Sequence, residues 1–191
     1  MYIVEQQRKS QSTQFDNLDS YLESLQLSMV IAVNAEHKID RVSQMTQKTN
    51  QFNSTTLRLT PSEVRNKTLT KDNYVFSFSL SDKFGDFGTT GAAFVSISDN
   101  IATIDDLLMS CRVLGRKAEE TFINELFRFM NGKGVIKCLI PFVLSNKNKQ
   151  VQDFFLRNNF KLVTSEGDKY LFESDLLIDE KLAIINVRYE R

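Results

Sequence analysis

A chain of 191 residues is long enough for one domain with a real core and rather short for two. Hydrophobic residues make up 41% and charged residues 25%, with 24 basic side chains against 24 acidic, which argues against disorder and against a nucleic-acid partner, so any anion site must be local. No window approaches eighteen consecutive apolar residues, and the opening MYIVEQQRKSQSTQ lacks the apolar stretch of a signal peptide; the expectation is a cytoplasmic protein with no membrane association.

Residues 1–25 are polar, with SYLESL (20–25) at helical spacing, and are expected to form a helical lead-in. The apolar, β-branched run LSMVIAVN (27–34) predicts a strand, and Ile39, Val42, Met45 and Thr46 share one face of a following helix. At TPSEV (60–64), Thr60 can cap, Pro61 suits the first helical position and Glu63 completes a capping box. YVFSFSLSD (74–82) alternates, as does TTGAAFVSIS (89–98) beyond the glycine-containing KFGDFG; the two predict an antiparallel hairpin, and IATIDDLLMS (101–110) a third consecutive strand.

From Gly115 onward, Ala118, Phe122, Ile123, Leu126, Phe127 and Met130 recur at three and four residues, closing at NGKG, so the longest helix is expected there. VIKCLIPFV (135–143) reads as a buried strand, NKNKQVQDFFLRNNF (146–160) as a helix presenting Val151, Phe154 and Phe155, and FKLVTSEGDKYLFES (160–174) as a hairpin turning at Glu166-Gly167. Residues 175–191 form an extension whose LAIINV alternates weakly enough to suggest an added edge strand, leaving 26–174 as the main domain.

The junction LLMSCRVLGRKAEE carries most of the chemistry. The strand ends near Ser110 and the long helix opens soon after, so its free N–H groups should attract an anion. Gly115 lets the backbone approach a ligand, and Arg112 and Arg116 add forked donors suited to phosphate; together they describe a pyrophosphate cradle, with a solvated basic first turn as the alternative. Cys111 sits beside both arginines, an environment that favours the thiolate, and is the better nucleophile candidate; packing of a small residue at a strand end is the bland alternative. Cys138, in mid-strand, reads as a core thiol.

QKTNQFNSTT (47–56) holds Asn50, Gln51 and Asn53 around Phe52, more amide than a connection requires, or else a polar loop making local bonds. Asn146 and Asn148 stand at the start of the next helix, where capping is the simplest role. His37 is the only histidine, which excludes a histidine-based triad or a His-pair metal site, and no metal centre is expected.

The order of elements resembles that of the GNAT acyltransferase fold, an α/β sandwich built on a mixed, mostly antiparallel sheet flanked by helices. In that fold the fourth and fifth strands splay apart, and an acyl-CoA or phosphopantetheine arm lies between them. The fold's signature is Gln or Arg, two residues, Gly, one residue, then Gly or Ala. RVLGRK supplies Arg112 and Gly115 but places Lys117 where a small residue is usual, so that side chain either crowds the loop or adds a phosphate contact.

RVSQMTQKTNQFNSTTLRLT, FSLSDKFGDFG, IDDLLMSCRVLGRKAEE and SNKNKQVQDFFLRNNF, four blocks in order across roughly residues 20–163, resemble the C-terminal half of FkbH-like proteins, subfamily IIIC of the HAD superfamily. The resemblance implies a GNAT-like domain that works beside a HAD phosphatase-like domain and helps load a glyceryl group from a phosphorylated three-carbon donor onto an acyl carrier protein. It implies a cysteine as acyl acceptor, a position that Cys111 fits. Asn50, Gln51 and Asn53 would then bind the small hydroxyacyl group or its oxyanion, and coenzyme A or phosphopantetheine is the ligand for Arg112, Gly115, Arg116, Lys117, Asn146 and Asn148. The chain has no Asp-x-Asp pair, so it is not expected to be a phosphatase by itself. A non-catalytic module that docks a carrier protein or pantetheine for a separate phosphatase is the rival expectation.

Overall fold

The computed structural model describes residue 15, residues 17–180, residue 182 and residues 184–190. Most of the expected lead-in, residues 1–14 and 16, lies outside the described residues, as do 181, 183 (within LAIINV) and 191. The elements run α1 (Leu18–Ser24), β1 (Ser28–Val33), a 3-10 turn (Glu36–Lys38), α2 (Ile39–Lys48), β2 (Phe52–Asn53), α3 (Pro61–Leu69), β3 (Asn73–Asp82), β4 (Gly85–Ser98) and β5 (Ile101–Met109). They continue with α4 (Ala118–Gly132), β6 (Lys137–Val143), α5 (Lys149–Arg157), β7 (Lys161–Glu166), β8 (Lys169–Ser174) and β9 (Asn186–Tyr189).

The strands make one mixed sheet ordered β7-β8-β6-β5-β4-β3-β1-β9, with β2 against β5. β5 with β6 and β1 with β9 run parallel, and the other pairs antiparallel. Alternation along the strands divides the core into two layers. Ala92, Phe94, Leu108 and Val75 pack against Ile39, Val42, Met45 and Val64 of α2 and α3 on one face. Ala93, Val95, Leu107, Phe76 and Phe78 face the larger core with Phe122 and Leu126 of α4 and Val151 and Phe155 of α5. A bulge leaves Asp105 outside the residue-by-residue register with β4, between the Phe94–Asp106 and Val95–Ile104 pairs, and so reverses the alternation along β5.

Local signals account for most boundaries. At α3, Thr60 Oγ1 accepts from the Glu63 N–H (3.3 Å) and Glu63 Oε2 accepts from the Thr60 N–H (2.7 Å), the capping box expected from the sequence. Thr60→Ala is expected to cost about 1 kcal/mol, checked as a fall in melting temperature of about 2–4 °C.

One expectation is revised. α4 opens at Ala118 instead of Gly115, because Gly115 (φ 74°) and Lys117 (φ 60°) adopt left-handed backbone that cannot belong to an α-helix. β6 is the buried strand expected, with Cys138, Ile140 and Phe142 pointing into the core and their neighbours half-buried. No helix among the described residues is long and apolar enough to cross a membrane.

Candidate functional site

β5 and β6, the fourth and fifth strands of the element-order analogy, pair only through Ile101–Thr103 with Lys137–Leu139 and then part. The chain itself fills the opening. Phe52 and Asn53 pair with Met109 and Leu108, the Ser54 N–H donates to Leu107 O (2.9 Å), and the Val143 N–H donates to Ser54 O (2.8 Å). Residues 52–54 thus bridge both diverging strands.

Side chains lock the segment in place. Asp106 Oδ1 accepts from Ser54 Oγ (2.9 Å), from the Thr55 N–H (2.8 Å) and from Thr55 Oγ1 (2.8 Å), and Ser54 Oγ in turn accepts from the Leu107 N–H (2.9 Å). Burial pushes the Asp106 carboxyl up, against the pull of those hydrogen bonds. Asn148 Nδ2 donates to Asn53 O and to Val143 O, each at 2.9 Å. Asn53 Nδ2 donates to Thr49 O (3.1 Å), and its Oδ1 accepts from the Thr56 N–H (2.7 Å). Phe52 is buried edge-on to Phe154, ring centroids 5.3 Å apart.

The loop 111–117 is likewise tied to itself. The Gly115 N–H donates to Glu119 Oε1 (2.8 Å), so a backbone donor expected to meet an external anion meets the chain's own carboxylate. Burial pushes that carboxyl up. Arg116 donates to Arg112 O (2.9 Å) and stacks over Phe87 at 5.2 Å, while Arg112 Nε donates to Ser110 Oγ (3.3 Å). Gly115, Lys117, Glu119 and Glu120 open on a cavity of about 460 Å³ bordered by Phe52, Phe154 and Arg157.

A second cavity, of about 490 Å³, lies against α2. Arg41, Gln44, Met45 and Lys48 come from α2, Thr49, Asn50 and Gln51 from the turn after it, Met109, Ser110 and Cys111 from the end of β5, and Lys147 from the loop before α5. Cys111 is exposed there. Arg58 donates to Thr46 O, to Thr49 O (3.2 Å) and to Asn50 Oδ1, clamping the C-terminal carbonyls of α2. That contact engages the amide oxygen of Asn50 and leaves its NH₂ as the group available to donate. Among the described residues no acidic side chain lines the cavity, and Arg41, Lys48 and Lys147 have no carboxylate ion-pair partner.

Of the sequence-predicted residues, Cys111, Asn50 and Gln51 come together in this cavity. Asn53 does not join them, because both ends of its amide are spent on backbone. Gly115 and Lys117 border the other cavity, Arg112 and Arg116 border neither and are bonded within the loop, Asn148 is a buried strut of the 52–54 segment, and Asn146 is exposed beside it. Sequence reasoning passed over Arg41, Lys48 and Asp106. Two adjacent aspartates inside the otherwise apolar IATIDDLLMS were the available signal for the last, since a buried carboxylate needs partners.

No family model matches the chain, and no curated protein matches its sequence. Solved structures do. A PaiA N-acetyltransferase from Thermoplasma acidophilum, in complex with coenzyme A, superposes with a TM-score of 0.61 at 15% identity over 76% of this chain and 98% of that one. The ribosomal-protein-S18-alanine N-acetyltransferase of Escherichia coli gives 0.56 at 10% over 76% and 90%. Aminoglycoside acetyltransferase AAC(6')-Ib, in complex with coenzyme A and kanamycin, gives 0.55 at 15% over 78% and 95%. The chain therefore has the GNAT acetyltransferase fold.

Proposed function

We propose that the chain is an acyltransferase domain in which Cys111 carries a small acyl group between an activated donor and the phosphopantetheine thiol of an acyl carrier protein. The observation that supports this reading is the meeting of Cys111, from the end of β5, with Asn50 and Gln51, from the turn after α2, in one cavity also lined by Arg41, Lys48 and Lys147, which have no carboxylate partner among the described residues. In the first step the Cys111 thiolate attacks the acyl carbon, an Sγ–C bond forms, and the bond to the donor's phosphate or thiolate breaks with the electron pair leaving on that group. In the second step the carrier's thiol gives its proton to solvent water and attacks the same carbon as thiolate, the C–Sγ bond breaks with its electron pair on sulfur, and Cys111 returns as thiolate. The Asn50 NH₂ would donate to the developing oxyanion, and Gln51 would meet the hydroxyls of a glyceryl-like group. Coenzyme A or phosphopantetheine enters this scheme as a substrate. The resemblance to FkbH-like proteins adds a HAD-type phosphatase domain as working partner.

The glyceryl thioester of N-acetylcysteamine is expected to add the mass of one glyceryl group to the intact protein, at Cys111, and the adduct to discharge onto a phosphopantetheinylated carrier. Cys111→Ala should lower transfer on the order of 10³-fold or more. An unacylated wild-type protein, or a Cys111→Ala form that still transfers, overturns the reading.

A second reading, a binding module that holds a carrier arm without turnover, is favoured by the lining of the cavity beside Cys111, which among the described residues includes no carboxylate or imidazole to act as general base. The two readings part on whether the thioester forms.

A further inference from the structure

If Cys111 is acylated as proposed, the arm that brings or receives the acyl group needs a path to it. The fold analogy runs such an arm between β5 and β6, an opening that is closed here. Both edges of residues 52–54 are spent on the sheet, through the Met109, Leu108 and Leu107 backbone on one side and the Val143 N–H on the other. Asp106 on β5 and Asn148 at the start of α5, both 0% exposed, bond to the segment from its two sides, and Phe52 is seated on Phe154. Displacing it would leave a buried carboxylate and a buried amide without their partners, which is costly. At the far end, Glu119 holds the Gly115 N–H, and the buried Oε2 atoms of Glu119 and Glu120 have no partner among the described residues. A pyrophosphate there would meet carboxylates.

The α2 side has the opposite character. Arg41, Lys48 and Lys147 line the same cavity as Cys111, no carboxylate among the described residues lines it, and Lys48 and Lys147 are exposed. We infer that residues 52–54 are a resident strand of the sheet and that a phosphopantetheine arm reaches Cys111 from the α2 side, with its phosphate on Arg41, Lys48 and Lys147. The inference rests on the acyl-transfer reading for its purpose, and it relocates the phosphate contacts away from the 112–117 loop.

The test uses the full chain and phosphopantetheine activated as its mixed disulfide with thionitrobenzoate. The Cys111 thiolate attacks the pantetheine sulfur, the S–S bond breaks, and thionitrobenzoate leaves with the electron pair and is read by its absorbance. Pantetheine activated in the same way, without phosphate, is the control. The phosphate is expected to speed labelling of Cys111 by about tenfold, an advantage that weakens with salt. Arg41→Gln/Lys48→Gln/Lys147→Gln should abolish the advantage and Arg112→Gln/Lys117→Gln should keep it. Amide hydrogen exchange of the labelled protein should leave Ser54 and Val143 as protected as before. The inference is overturned if the phosphate gives no advantage, if the advantage is lost with Arg112 and Lys117 instead, or if labelling deprotects Ser54 and Val143. Because the N-acetylcysteamine thioester carries no phosphate, acyl-adduct formation succeeds or fails independently, and the two failures are distinguishable.

Discussion

Asp106→Ala should unfold at a clearly lower urea midpoint, with a loss of about 3 kcal/mol or more. The substitution takes the acceptor away from the Ser54 hydroxyl and the Thr55 N–H at once and leaves the Thr55 hydroxyl only Asp105 O (3.1 Å), and Ser54 is fully buried. Asp106→Asn keeps an oxygen acceptor for all three donors and removes the charge, so it should lose far less. Their pH dependence separates the two variants further. Burial disfavours the ionised Asp106 and Glu119 carboxyls in the folded protein, so both carry folded-state pKa values above those of the unfolded chain. Above the ordinary carboxylate range, near pH 4, the folded state then holds more protons than the unfolded one. Stability from these groups is complete below that range and is lost as pH rises through their raised values. Asp106→Asn should therefore gain on the wild-type protein as pH rises from about 4 to 7. Denaturant titrations across that range check the sign; a wild-type protein that gains on the variant with rising pH contradicts it.

Gly91→Ala is expected to cost about 3 kcal/mol, the upper end of the usual overpacking range. A methyl group at Gly91 in β4 would lie 1.9 Å from Phe78 Cε1 and 2.6 Å from Cδ1 and Cζ. The Phe78 ring has no room to retreat, being 1% exposed with its centroid 4.7 Å from that of Phe122 on α4. A fall in melting temperature of about 6–12 °C would follow for a chain of this size. If the ring is the cause, trimming it should compensate: Gly91→Ala with Phe78→Leu ought to be less destabilised than the sum of the two single changes. Additive losses would place the cause elsewhere.

Gly91 and Asp106 mark the limit of what could be read from sequence. Glycine in TTGAAFVSIS reads as a weak strand position, and nothing local announces that the ring of Phe78, thirteen residues earlier and across the hairpin, covers it. The buried face of α4, the capping box at Thr60, the hairpins and the order of elements were all legible, because each is written in the spacing of neighbours within one or two turns.

Cys111, Asn50 and Gln51 stood out through residue chemistry, as a thiol beside guanidinium groups and as amides in surplus, and only the resemblance to FkbH-like proteins put them in one site. β2 had no signature. A two-residue strand has no period, and its hydrogen bonds come from Leu107, Leu108, Met109 and Val143, more than fifty residues along the chain. Glu119 likewise reads as an ordinary first-turn acid until the left-handed turn at Gly115 and Lys117 brings the loop amide to its carboxylate.

Sequence alone determined the elements and the side chains with chemistry to offer, since propensity, period and functional groups are local properties. Tertiary structure alone decided that the opening between β5 and β6 is closed, that the loop donor is taken, and that three cations gather on the α2 side of Cys111. Those are facts about which distant groups satisfy one another's hydrogen bonds and charges, and only the folded chain brings them within reach.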